Sequence, residues 1–243
     1  MKFLCFILIL GICGCTSGVD YKNSQIDNLN VRIENGNLIY NGSISETANK
    51  IIFRAFKDAE SKPNRLVISS TGGDIEAGIA LGQWVKQNNL DVEVSNICAS
   101  SCANYVFPAA KTKYLRKDSI LLWHGSAWQS WDVEEKLRSS HLDYISSIRE
   151  RETTFFTKIK VDNLLCIYGQ TKITIWDKLL IILGLGSQGY DYSLSDMEKF
   201  GMSNITLIDK VWDWRRYRPE HASLVKRIHV DDDFEFKLTR FEI

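Results

Sequence analysis

Apolar and polar residues alternate on both sides of Asn35-Gly36 in "VRIENGNLIYNGSI", a pattern that predicts a β-hairpin turning at that dipeptide. The period then lengthens. Ala48, Ile51, Ile52, Ala55 and Ala59 recur at helical spacing behind Ser45, a residue suited to cap a helix start, and Pro63 and Asn64 end the run. "RLVISS" (residues 65–70) reads as a short buried strand, "TGGD" as a turn, and Ile75 to Gln87 as a helix. "DVEVS" (91–95) is a further strand, a helix is expected from about Ser100 to Ala110, and "SILLWH" (119–124) is a strand ending on a histidine. Strands alternating with helices of about 10–15 residues predict an α/β fold with right-handed crossovers.

Beyond Gly125 the pattern is helical for longer. Asp132 and Glu135 form a D-x-x-E opening, and Val133, Leu137, Tyr144, Ile148, Phe155 and Ile159 make one apolar stripe, read as core or subunit contact. "DKLLIILGLGS" (177–187) fits either a helix or a buried strand and is too short to cross a bilayer. "SLSDMEKFGMSNITLID" (193–209) predicts a helix stopped at Gly201 and then a strand. In the tail, Pro219 breaks any helix and "FEFKLTRF" is a possible last strand. Arg215, Arg216 and Arg218 among Trp212, Trp214 and Tyr217 are expected to form a solvated face.

The opening residues do not fit this globular pattern. Lys2 precedes an apolar run, Phe3 to Ile12, and then small residues, as in a secretory signal. Ile12-Cys13-Gly14-Cys15 resembles a bacterial lipobox, with Cys13 departing from the usual small residue. The expectation is a signal over 1–14, lipidation at Cys15, a polar tether over 15–29, a domain over 30–209 and a C-terminal extension over 210–243. The product would be exported and membrane-anchored, facing the periplasm or the cell exterior. Thirty Lys+Arg against thirty Asp+Glu give a formal net charge of +0, which offers no electrostatic basis for binding nucleic acid. In an oxidising compartment Cys98 and Cys102 can pair if the chain turns into a helix between them, leaving Cys166 over. Their C-x3-C spacing has no second ligand pair, so neither a metal nor a cofactor is expected.

Two short stretches carry the chemistry. "ISSTGGDIEAGIAL" sets paired glycines at a strand end, and "CASSCANYVFPAAK" sets two serines at the next strand-to-helix turn. With "LIYNGSISETANKIIFRAF" before them and "SILLWHG" after, residues 38–125 resemble the proteolytic subunit of the Clp protease, and 193–209 do so more weakly. The cysteine-flanked serine is similar to exported relatives in the same ClpP/crotonase superfamily. The resemblance implies stacked βαβ units with an N-terminal hairpin and a long helix after the core. It implies a serine hydrolase, most naturally a peptidase: Ser100 as nucleophile with Ser101 the competing choice, His124 as general base, and the amides of Gly73 and Ser101 as oxyanion hole. Asp191 is the best positional match for the third member, with Asp196 and Asp177 as alternatives. A peptide or acyl substrate and a homo-oligomer are implied too. Two rivals stand beside it, an inactive ClpP-like scaffold or interaction lipoprotein and acyl-thioester chemistry of the crotonase type.

Overall fold

The computed structural model describes residues 29–129 and 139–241. The expected signal, the Cys15 lipidation site, the tether up to residue 28 and the D-x-x-E pair Asp132/Glu135 lie outside the described residues.

Asn35 and Gly36 both take positive φ, +49° and +74°, the conformation a two-residue hairpin turn requires. They join β1 (Asn30–Glu34) to β2 (Asn37–Asn41) in antiparallel register. The Ser45 hydroxyl accepts from the Ala48 amide and starts α1 (Glu46–Asp58), a cap worth about 1 kcal/mol. The buried face of α1 is rotated from the expected stripe: Ala48, Asn49 and Ile52 are buried while Ile51 is exposed. Asn49 faces inward because it has partners there, accepting from Tyr40 Oη (3.1 Å) and donating to the Ala77 carbonyl (2.8 Å).

Strand β3 (Arg65–Ser70) leads through the glycine turn into α2 (Ile75–Gln87), which Asp74 caps by accepting from the Ala77 amide. Strand β4 runs over Asp91–Ala99, four residues further than expected, because it pairs twice. Its first half lies beside β5 (Lys113–Leu115) and its second half beside β6 (Ile120–Leu122). The segment between β4 and β5 is not one regular helix. Cys102–Val106 is wound as a π-helix and only Phe107–Ala109, α3, is α-helical. The long helix α4 is described from Ser139 to Ile159. It buries Ile145, Ile148, Glu152, Phe155 and Phe156, while Tyr144 of the expected stripe is half exposed.

The later elements are short: α5 (Tyr168–Thr171), α6 (Ile175–Ile182), β7 (Gly189–Asp191), α7 (Leu194–Lys199), β8 (Ile205–Leu207), α8 (Trp214–Tyr217) and β9 (Val225–Arg227). The main sheet has seven strands in the order β1-β2-β3-β4-β5-β8, with β6 also on β4, and every pairing except β1–β2 is parallel. Helices α1, α2 and α4 flank it, giving the α/β fold that the sequence pattern predicts. Strand β9 pairs with β7 in a separate two-stranded ribbon. The expected strand in "FEFKLTRF" is not formed; its backbone is irregular, and the Lys237 amide and the Arg240 guanidinium are spent on buried Asp162.

Candidate active site

The site grows from the end of β4. Ala99 pairs with Leu122 on β6, and the Ser100 amide donates to the Leu122 carbonyl at 3.0 Å. At Ser100 the backbone flips to φ +53°, a left-handed conformation that costs a non-glycine residue about 1 kcal/mol or more and persists only where surroundings enforce it. The enforcement is visible on both sides. Cys98, in the strand, is disulfide-bonded to Cys102, the first residue of the π-helix, with Cα atoms 5.2 Å apart. Beyond it, the Asn104 amide donates to the Ser100 carbonyl at 2.8 Å. The turn is therefore a sharp strand-to-helix elbow with a half-buried serine at its apex, the arrangement that pushes a nucleophilic hydroxyl out of a sheet.

The two serines part at this elbow. Ser101 is 1 % exposed, and its Cβ lies 2.8 Å from where a Cβ on Gly78 of α2 would sit. Its hydroxyl is buried and has no hydrogen-bond partner among the described residues. Ser101 thus points into the core and Ser100 does not. Ser101 keeps its other expected qualification, since its backbone is helical (φ −57°, ψ −23°) and its amide belongs to the first turn, where N–H groups have no intrahelical acceptor.

The glycine pair meets the elbow from β3. Gly72 (φ +96°) has no room for a side chain: a Cβ there would lie 2.6 Å from Ser100 Cβ and 3.0 Å from the Ser101 nitrogen. Gly73 bridges Ile44 in parallel fashion, with the Ile44 amide on the Gly72 carbonyl (2.8 Å) and the Asp74 amide on the Ile44 carbonyl (3.0 Å). In such a bridge the flanking residues face the partner, so the N–H of Gly73 itself is turned away from Ile44.

His124 follows β6. Trp123 and Tyr190 exchange both backbone hydrogen bonds at 2.8 Å, and Gln170 Nε2 donates to the His124 carbonyl at 2.9 Å, so the backbone carrying the ring is held at both ends. The side chain is exposed to solvent on one side and on the other lines a cavity of about 550 Å³. Desolvation by that wall lowers the imidazole pKa below 6.5, and contact with its own carbonyl opposes the shift; the ring is neutral at pH 7. The cavity is walled by Ile97, Ile120, Leu122 and Leu224, with Arg218 and His221 at its edge. It includes Ala99 and stops one residue short of Ser100. No hydrogen bond joins Ser100 Oγ to the His124 ring.

Asp191 does not serve the histidine, which corrects the expectation for the third member. Its carboxylate is fully buried and takes five donors: Trp214 Nε1 at 2.9 Å, Arg215 at 2.7 and 2.8 Å, and Arg227 at 2.8 and 2.9 Å. Both oxygens are saturated. The alternatives are engaged elsewhere as well, Asp196 with Ser193 Oγ and the Val230 amide and Asp177 with Thr174 and Lys226. The arginine–tryptophan tail is accordingly a solvated face only in part: Arg216 and Tyr217 are exposed, but its centre is buried. Trp214 is 1 % exposed, and Arg215 and Arg227 clamp β7 to the C-terminal segment through Asp191.

Two residues absent from the sequence reading connect the serine and histidine segments. Asn104, buried at 2 %, donates from Nδ2 to the Gly125 carbonyl at 2.8 Å. One side chain thus ties the elbow to the residue after His124. Glu152 of α4 accepts from Tyr105 Oη (2.8 Å) and from the Ala127 amide (3.1 Å), and burial raises its pKa. A polar residue inside an otherwise apolar stretch was the available signal for Asn104, whereas Glu152 sits in the polar run "RERETT", which gave none. Asn104→Ala leaves the Gly125 carbonyl unpaired, an expected cost of about 1–3 kcal/mol in chemical denaturation, with no effect expected on secrondary-structure content by circular dichroism.

No protein-family model matches the chain, and no curated protein matches it. Among solved structures the chain is similar to one described as a peptidase from Plasmodium falciparum, with a TM-score of 0.40 and 12 % identity, covering 51 % of this chain and 77 % of that one. A likeness at that level carries no argument about chemistry.

Proposed function

We propose that the chain is a serine hydrolase acting on a peptide or ester carbonyl. Ser100 attacks the carbonyl carbon as His124 takes its hydroxyl proton, forming a tetrahedral adduct. The Gly73 and Ser101 amides receive the oxyanion. The imidazolium then returns the proton to the leaving amine or alcohol, and water, deprotonated by the same ring, releases the acid and restores Ser100. The observation that carries this reading is the left-handed Ser100 at the disulfide-closed elbow, abutted by Gly72. Loss of one oxyanion donor typically costs about 2.7–4 kcal/mol, so two amides supply a large share of the catalysis proposed. The apolar cavity beside His124 suits an apolar group on the substrate.

A fluorophosphonate probe tests this reading directly. Labelling is expected in the native chain and in Ser101→Ala, and is expected to vanish in Ser100→Ala and to fall steeply in His124→Ala. Labelling that persists in Ser100→Ala, or none in the native chain, overturns it. The same experiment decides the second reading, a non-catalytic scaffold, which is favoured by one observation: among the described residues no carboxylate is hydrogen-bonded to the His124 ring.

The lowered imidazole pKa sets the pH dependence. The base works deprotonated, so kcat/KM is expected to be full at pH 7 and to fall on acidification with a midpoint below 6.5. A midpoint above 7 contradicts the assignment. Export and anchoring through Cys15 belong to the same proposal; radiolabelled palmitate is expected in the native chain and absent from Cys15→Ser.

A further inference from the structure

Helix α6 is inside out. Asp177, its one carboxylate, is turned to the protein, where Lys226 and Thr174 hold it at 2.7 Å. Five of its apolar residues face water: Ile175 is 85 % exposed, Trp176 74 % and Ile182 81 %, with Leu179 and Leu180 above 40 %. At 100° per residue these five positions cover an arc of about 160°. The apolar surface continues through Leu183 and Leu185, at 60 and 73 %. Among the described residues no other element packs broadly against α6. A hollow of about 340 Å³ adjoins it, bounded by Asp177, Leu180 and Leu185 on one side and Ala222, Ser223 and Lys226 on the other, and so lies on its protein side.

We propose that α6 and the Leu183–Leu185 turn lie in the boundary between headgroups and acyl chains of a phospholipid bilayer. The wide arc is the first reason. A helix docking on a protein buries a stripe of about 100° and keeps a polar rim. Here the exposed apolar residues span about 160°, wider than such a stripe. A bilayer needs no matching shape and accepts the whole arc. Charge is the second reason. The only acid of the segment is paired with Lys226, so no free carboxylate meets the phosphates. Trp176 is the third, since its ring sits at the first turn among aliphatic neighbours, and indole favours the bilayer interface. The helix lies on the membrane and does not cross it: no helix among the described residues is long and apolar enough to span a bilayer. The inference rests on α6 alone and does not depend on the hydrolase reading.

The test uses the full chain reconstituted with phosphatidylcholine vesicles whose acyl chains carry bromine, a short-range quencher of indole fluorescence. Among the described tryptophans, Trp123 and Trp214 are buried and Trp84, Trp128 and Trp212 are partly buried, so of these six Trp176 is expected to give most of the quenching, and the assay is run in a Trp131→Phe background. At least half of it is expected to disappear in Trp176→Phe and nearly all in Ile175→Asp/Ile182→Asp, with unchanged thermal unfolding. This readout reports where Trp176 sits whatever else holds the chain to the vesicle. Quenching unaltered by Trp176→Phe overturns the proposal. So does a covalent dimer formed through Ile182→Cys while Trp176 stays unquenched, which assigns the face to a second copy.

Discussion

Ser100→Ala is expected to lower kcat/KM for a peptide or ester substrate by about four orders of magnitude, whereas Ser101→Ala stays within about threefold of the native chain. The contrast follows from the elbow. Removing the Ser100 hydroxyl removes the proposed nucleophile. Removing the Ser101 hydroxyl takes away a buried oxygen with no partner and leaves the backbone amide that is proposed to bind the oxyanion. Ser101→Ala is even expected to gain up to about 1 kcal/mol in stability, since a buried hydroxyl without a hydrogen bond is a cost to the fold. Steady-state kinetics and urea denaturation on the two variants check both halves. Equal loss in both, or in neither, contradicts the assignment.

The second large effect concerns stability. Asp191→Ala leaves Arg215, Arg227 and the Trp214 indole facing an uncharged gap. Breaking a buried ion pair from one side costs about 3–5 kcal/mol, and the partial exposure of both arginines places this case at the lower end, about 3 kcal/mol. For a chain of this size that is a fall in Tm of about 6–12 °C. The folded fraction is expected to keep kcat within about threefold of native. A catalytic carboxylate behaves in the opposite way, costing about 10⁴ in kcat with the fold intact. A thousandfold loss of kcat at unchanged Tm returns Asp191 to the mechanism.

These two residues also mark how far the sequence could be read. The hairpin, the capped helices and the parallel strands rest on local rules: positive φ at Asn35-Gly36, side-chain caps at Ser45 and Asp74, and period-two burial in 65–70. Each is decided within a few residues. Asp191 is decided by Arg215 and Arg227, 24 and 36 positions away, and no local pattern announces such a clamp. The division of labour between Ser100 and Ser101 was equally illegible, because it depends on a one-residue flip in φ and on Gly78 approaching from α2. The regular helix expected over 100–110 fails for a related reason. The Cys98–Cys102 bond and the Asn104 link to Gly125 draw the first turns into a wider winding. Segment 177–187 was ambiguous because its apolar residues fit a core, whereas Leu179, Leu180, Ile182, Leu183 and Leu185 are exposed. Composition does not encode which way a helix turns.

The arrangement as a whole meets its most direct test in a crystal structure of the chain after reaction with a fluorophosphonate. The account predicts a phosphorus–oxygen bond to Ser100 Oγ and one phosphonyl oxygen about 2.7–3.1 Å from both the Gly73 and Ser101 nitrogens, with the His124 ring swung within reach of the ester oxygens. An adduct on any other residue, or a phosphonyl oxygen turned away from those two amides, contradicts it.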